Sequence, residues 1–230
     1  MPRHIGIVAV SAEGAALCYR TICAEGAALF GRHRHPEVTM HTIALAEHMK
    51  FIDAGRWEDE AELLLVSARK LAQAGADFLI CPDNTAHPAV DLIRGRSPLP
   101  WLHIAEEVAS VAAARGCKTV GVLGTRYLME GSVYPARLND AGIGHMIPDK
   151  DDRELINRII FEELVNGRFE DRARAQFVRI ILGLKRKGCD AVALACTEIP
   201  LLIGEADSPL PTLDSTRILA RAALREAARP

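Results

Sequence analysis

Two stretches decide the reading of this chain: AGRWEDEAELLLVSARKLAQAGADFLICPDNTAHP at 54–88 and NGRFEDRARAQFVRIILGLKRKGCDAVALACTEIP at 166–200. Gly55, Arg56, Glu58 and Asp59 in the first answer Gly167, Arg168, Glu170 and Asp171 in the second, 112 residues on. Gly75 and Asp77 answer Gly188 and Asp190 at an offset of 113. SPLPWL at 97–102 is matched by SPLPTL at 208–213, and IGIVAVS at 5–11 resembles VGVLGT at 120–125. A period this long excludes the units of about 20–50 residues that build solenoids, and two similar α/β halves explain it most simply. With an SPLP segment at each crossover, the chain is expected to leave its first half near residue 100 and return to it near 210. The predicted domains are therefore 1–98 together with 210–230, and 99–209.

Between the repeats, short apolar runs alternate with longer amphipathic ones, the pattern of parallel strands joined by helices. The predicted strands cover 4–10, 37–43, 76–82, 98–104, 118–124, 144–148, 190–196 and 210–214. The clearest helices cover 57–75, 105–116, 154–167 and 172–188, and each closes on a glycine, as a helix C-terminus prefers. The GRWED and GRFED charges read as solvated helix starts.

Composition narrows the partner. The chain has 230 residues, 49% of them hydrophobic, enough to bury a sizeable core. Its 28 basic and 30 acidic residues give a formal net charge of −2 with no long run of either sign, which argues against a nucleic-acid groove or a membrane-surface patch. A small-molecule partner is expected. Cysteines at 18, 23, 81, 117, 189 and 196 have no CxxC spacing and form no dense framework, and MPRHIGIVAV enters an apolar strand too early for a secretory signal. Both features fit a reducing cytoplasm. No apolar run approaches the roughly 20 residues that span a bilayer.

The chemistry collects where the repeated strands finish. ICPDNTAHPAV at 80–90 places Cys81, Asp83, Asn84, Thr85 and His87 within a few residues of one another. At an offset of 113, Asp83 falls opposite Cys196, Asn84 opposite Thr197 and Thr85 opposite Glu198. Ligands of open parallel α/β sheets bind beyond the carboxyl ends of the strands, so two halves facing one cleft would present Asp83 and Cys196 from opposite walls.

NTAH after one strand, ACTEI after its counterpart, LGTRYLMEGSVYPARL at 123–138 and IIFEELVNGRF at 159–169 resemble the aspartate/glutamate racemase family of cofactor-independent amino-acid racemases. The resemblance runs over most of the chain in the same order. It implies two α/β domains with parallel four-stranded sheets related by a pseudo-twofold axis, an active-site cleft between them, a frequent homodimer, and neither pyridoxal phosphate nor a metal. The substrate it implies is an amino acid or a related carboxylic acid. Cys196, directly before Thr197 and Glu198, matches the family's second catalytic cysteine. The first catalytic position, directly before NTAH, is usually cysteine and here is Asp83. Cys81, two residues upstream, would point to the same side but one strand repeat of about 6.5–7 Å deeper, so Asp83 is the preferred ligand-facing group.

Other departures bear on the substrate. The glycine-rich first turn of the family is replaced by AVSAEG at 9–14, which carries Ser11. Aspartate-specific members carry cationic anchors after the second strand and near the helix preceding the second catalytic strand. ALAEHM at 44–49 and LVNGRF at 164–169 stand there, and Glu47, His48 and Val165 are poor anchors; Arg168 would serve only with a shift of register. Leu128 replaces a threonine of the usual pocket.

Racemisation itself demands a base and an acid on opposite faces of one carbon, because a single group returning the proton to the same side keeps the configuration. A thiol, with an ordinary pKa of about 8.5, suits one side, and a partly buried carboxylate the other. Asp83 is expected ionised and Cys196 protonated at rest. Ser11, Asn84, Thr85, Thr125, Thr197 and Glu198 are the predicted substrate-binding residues, with Asn84, Thr85, Thr125 and Thr197 as hydroxyl, amide and backbone donors around the carboxylate. Each residue also has a plainer reading. Cys18, Cys23, Cys117 and Cys189 read as small core residues, Asp83 as an N-cap of the following helix, His87 as a structural hydrogen-bonding group, and Glu198 as a loop-holding acceptor. Three alternatives to a racemase stand beside it: a decarboxylase or lyase of the same superfamily using one cysteine, a non-catalytic small-molecule binding protein, and a metal site drawn from Cys81, Asp83, His87 and Cys196. The last has mixed ligands that match no recurrent zinc spacing.

Overall fold

The structure, a computed structural model, describes residues 2–229. All eight predicted strands form. Along the chain run β1 (Ile5–Ala9), α1 (Ala12–Phe30), β2 (Val38–Thr42), α2 (Leu45–Ile52), α3 (Trp57–Gln73), β3 (Phe78–Ile80), α4 (His87–Ile93) and β4 (Trp101–Leu102). Then come α5 (Ile104–Ala114), β5 (Thr119–Leu123), α6 (Arg126–Met129), α7 (Val133–Asp140), β6 (Gly144–Met146) and α8 (Lys150–Glu162). A 3₁₀ turn at Leu164–Asn166, α9 (Asp171–Arg186), β7 (Ala191–Leu194), α10 (Ile199–Leu202), β8 (Thr212–Asp214) and α11 (Ser215–Ala227) complete it. The strands make two parallel four-stranded sheets, ordered β2-β1-β3-β4 and β6-β5-β7-β8.

One compact unit comprises the residues up to Ile104 with those from Thr216 on, and the other comprises Ala105–Ser215. The divisions fall about six residues later than the SPLP segments place them. Each SPLP leads into a short strand that still pairs with the sheet just built, Trp101 opposite Leu79 and Thr212 opposite Val192. The chain crosses only after that pairing.

In the first unit, alternation along the strands sorts side chains to two faces. Ile5, Ile7, Ala9, Phe78 and Ile80 pack with Cys18 and Ile22 of α1 and with Leu219, Ala223 and Leu224 of α11. Val8, Val10, Leu79 and Cys81 pack instead with Leu64, Leu65 and Ala68 of α3 and Val90 of α4. The period of two in parallel strands therefore supplies both faces, and the C-terminal segment returns because one face would otherwise stand uncovered. In the second unit Leu123, Val192 and Leu194 pack against Ile156, Ile159 and Ile160 of α8 and Phe177, Ile181 and Leu184 of α9.

The repeated polar residues do equivalent work in each unit. Asp77 Oδ2 accepts from the His4 amide at 2.6 Å and Asp190 Oδ2 from the Lys118 amide at 2.7 Å, each clasping the start of the neighbouring central strand. Ser97 Oγ donates to the Leu99 carbonyl and Ser208 Oγ to that of Leu210, at 2.8 and 2.6 Å, shaping both SPLP turns. Gly75 and Gly188, at φ values of 89° and 100°, reverse the chain between helix and strand where a side chain would be strained. The predicted helix at 154–167 starts earlier and breaks at Glu163, with the last predicted turn formed as 3₁₀. Among the described residues no helix is long and apolar enough to cross a membrane.

The two glycines of the α9 region should respond oppositely to alanine. Gly188→Ala should lower stability by about 1–2 kcal/mol, the cost of a left-handed L-residue. Gly183→Ala, inside α9 with nothing within 4 Å of the added methyl, should raise it by about 0.5–1 kcal/mol. Urea unfolding of the two variants checks both signs.

Candidate active site

Each sheet reverses its strand order between its two central strands, β1 and β3 in one unit and β5 and β7 in the other. At such a switch point successive helices leave to opposite faces, and the backbone beyond the carboxyl ends is left open to a ligand. The candidate residues gather at these two places. Ser11 follows β1 and starts α1, while Asp83, Asn84 and Thr85 follow β3. Thr125 follows β5 and starts α6, while Cys196, Thr197 and Glu198 follow β7.

In the first unit the chain turns tightly after β3. Asp83 is half-buried, and its Oδ1 accepts the Ala86 amide at 3.0 Å, so the capping expected of this aspartate is present as a turn just before α4. His87 holds the same turn. Its Nδ1 lies 2.7 Å from the Asp83 carbonyl and its Nε2 receives the Ile104 amide at 3.2 Å. A carbonyl can only accept and an amide N–H only donate, so the ring carries its proton on Nδ1 and is neutral. That geometry makes His87 a strut between the turn and the start of α5. Its ring also stands edge-on to that of His103, with centroids 4.4 Å apart. Asn84 is buried and Thr85 half-buried beside it.

Cys81 is fully buried in the α3 and α4 face of the sheet. Burial, with the charges of Asp83 and Glu60 adding, pushes its thiol well above the ordinary range. Of the two groups before NTAH, Asp83 is therefore the more exposed and Cys81 the inert core thiol.

In the second unit the turn after β7 is closed by side chains. Gly124 lets the end of β5 approach it: a methyl there would lie 2.8 Å from the Ala195 carbonyl oxygen. Thr125 Oγ1 accepts the Leu128 amide at 3.3 Å and caps α6. The Cys196 thiol donates to Glu198 Oε2 at 3.0 Å, and Thr197 Oγ1 donates to the same oxygen at 3.1 Å. Cys196 is 7% exposed and Glu198 2%. Phe78 and Ala191 start the repeated strands at an offset of 113, but Pro88 and Pro200 in the following helices match at 112, so the first unit carries one more residue between them.

A buried pair escaped the sequence reading. His48 Nδ1 lies 2.7 Å from Glu60 Oε1, both side chains are essentially inaccessible, and burial pushes the Glu60 carboxyl upward against the lowering pull of His48. The signal was present: Glu60 stands four residues before Leu64 and eleven before Leu71, on the apolar face of α3. The other anchor positions are also committed elsewhere. Glu47 pairs with Lys50 on the surface, and exposed Arg168 donates to the Glu162 carbonyl. Among the described residues no group of three or more His, Cys, Asp or Glu side chains is placed to hold a metal.

Comparison with known proteins gives a consistent result. A family model described as Asp/Glu/Hydantoin racemase matches residues 5–223. The broad specificity amino-acid racemase RacX of Bacillus subtilis is 26% identical over 71% of this chain and 70% of its own length. The glutamate racemase of Thermus thermophilus is 30% identical over 67% of this chain and 57% of its own. Among solved structures, a candidate Asp/Glu racemase from Yersinia pestis is 34% identical with a TM-score of 0.89, covering 99% of this chain and all of that one. An aspartate racemase homologue from Pyrococcus horikoshii is 28% identical with a TM-score of 0.85 over the full length of both.

The burial contrast among the thiols is directly measurable. Brief treatment of the native protein with iodoacetamide near neutral pH should mark half-exposed Cys23 and Cys117 at least about tenfold faster than Cys81, because the thiolate is the reacting form. Peptide mass spectrometry reads each site separately.

Proposed function

Since the chain belongs to the Asp/Glu/hydantoin racemase family, we propose that it is an amino-acid racemase in which Asp83 and Cys196 exchange the α-proton of the substrate on opposite faces. The observation that supports this reading is the repeat of the two strand ends: a proton-carrying side chain follows each switch-point strand, Asp83 three residues past the end of β3 and Cys196 two past the end of β7. Asp83 takes the α-proton, the carbanion forms, and the Cys196 thiol returns a proton to the other face, inverting the centre. For the opposite enantiomer the roles exchange. Ser11, Asn84, Thr85, Thr125 and Thr197 bind the substrate carboxylate and stabilise the charge that develops beside it. Two side chains complete both proton transfers, so the reading draws on no pyridoxal phosphate.

The side chain accepted is neutral, or carries a polar group placed differently from that of aspartate. A β-carboxylate needs a cation, yet His48 is buried against Glu60, Arg168 is turned to a backbone carbonyl at the surface, and Val165 packs on the apolar core of the second unit. The similarity to a broad specificity racemase supports the same direction. Asp83 in place of a first cysteine also favours a second reading, a decarboxylase that protonates its carbanion from Cys196 alone.

Incubation with a panel of amino acids and substituted malonates in heavy water, following deuterium and chirality together, separates the two. The racemase reading expects deuterium to enter with inversion, better on neutral side chains than on aspartate. Loss of carboxylate from malonates without racemisation would replace it, and efficient turnover of aspartate alone would remove the selectivity argument.

The acid–base pair has its own test. Asp83→Asn should abolish racemisation while leaving ligand binding, because an amide neither accepts nor returns the α-proton. Cys196→Ser should lose about 10²–10⁴-fold, the usual contribution of a general acid or base. Each variant should still exchange the α-hydrogen of one enantiomer without inversion. Full racemisation by Asp83→Asn would remove Asp83 from the mechanism.

A further inference from the structure

Glu198 is the buried carboxylate at the switch points that the mechanism above leaves unused. It lies two residues past Cys196, and both hydrogen bonds to its Oε2 come from side chains, the Cys196 thiol and the Thr197 hydroxyl. Its Oε1 is buried with no hydrogen-bond partner among the described residues. A carboxylate that merely shaped the loop would take backbone amides, as Asp83 takes that of Ala86. Two side-chain donors converging on one oxygen use the acceptor capacity that a carboxylate offers. Thr85, which the repeat sets opposite Glu198, carries no charge, so the device belongs to one half-site only.

We propose that Glu198 is a positioning residue that holds Cys196 in its protonated form, so that the free enzyme rests with Cys196 as the acid and Asp83 as the base. The inference rests on the two-base reading and adds the direction in which that pair is poised. Removing the thiol proton leaves a thiolate about 3.0 Å from a carboxylate. Like charges that close in an apolar setting disfavour ionisation of the second group. Cys196 is 7% exposed and belongs to the same buried cluster as Leu123, Met129, Leu194 and Ile199, which limits the water available to screen the pair.

The proton inventory is complete. When the carbanion is protonated, the S–H bond of Cys196 breaks, its electron pair stays on sulfur, and a new Cα–H bond forms while Asp83 keeps the proton it removed. The enzyme is then left with a neutral Asp83 and two adjacent anions, Cys196 and Glu198. Repulsion between those anions favours uptake of a proton from solvent water by the thiolate, while Asp83 releases to solvent the proton it took from substrate; one proton enters, one leaves, and the resting form is restored.

The test needs no substrate, which keeps its outcome independent of whether the chain racemises. The full-length protein is treated with iodoacetamide across a pH series, and alkylation at Cys196 is followed by peptide mass spectrometry, since only the thiolate reacts appreciably. In Glu198→Gln, nearly the same shape without the charge, the midpoint should fall by about one pH unit or more, giving about tenfold faster labelling below the midpoint. Glu198→Asp, which keeps the charge, should stay nearer the wild-type midpoint than Glu198→Gln does. Thr197→Val, which removes the other donor to Oε2 and changes no charge, should not lower it. An unchanged midpoint in Glu198→Gln, or an equal fall in all three variants, would overturn the assignment of Glu198. A shifted midpoint in a protein that fails to racemise any panel member would overturn the two-base reading and leave the Cys196–Glu198 pair standing.

Discussion

Strands buried on both faces can hold almost no polar side chains, and this constraint organises the whole molecule. Along β1, β3, β5 and β7 the interior positions are Ile, Val, Leu, Ala, Phe and Gly, apart from Thr119 at the very start of β5. Polar chemistry can begin only where a strand stops. Both sheets stop their central strands at a switch point, and the first groups past those ends include Ser11, Asp83, Thr125 and Cys196. The concentration of candidate site residues at two turns is thus a consequence of how parallel sheets are covered.

The two units solve the same structural problem with the same residues and a different chemical one with different residues. Asp77 and Asp190 clasp the neighbouring strand, and Ser97 and Ser208 shape the crossover, each pair with closely similar geometry. At the strand ends the symmetry is broken. The first unit sets a carboxylate in a turn that is fastened by backbone groups and by the neutral ring of His87. The second sets a thiol in a turn that is fastened through a buried carboxylate. A scaffold common to both halves leaves each free to tune its own proton-carrying group through the two or three residues that follow it.

Burial distinguishes groups that the sequence treats alike. Cys81 and Asp83 are two residues apart, yet one is sealed in the core with its thiol pushed up and the other is half-buried at the turn. His48 and Glu60 consume one another inside the first unit, which removes a histidine from the pool of substrate anchors. Charge matters here through what it is already paired with.

The sequence alone determined the architecture, because hydrophobic period and repeat offsets are written along the chain. The runs 4–10 and 190–196 had to be buried strands, and matched Gly-x-Asp and SPLP segments required two equivalent halves. Asp83 and Cys196 were legible as candidates for the same reason, since each follows a repeated strand. Boundaries were less so: SPLP marks a turn, but whether Trp101 and Thr212 pair with the sheet already built depends on partners about 20 residues back in sequence. Tertiary structure also decided the partners of single polar atoms. That Glu60 faces His48, that His87 is neutral, and that Glu198 accepts a hydrogen bond from the Cys196 thiol depend on contacts of about 3 Å, set by packing and turn geometry and not by spacing in the chain.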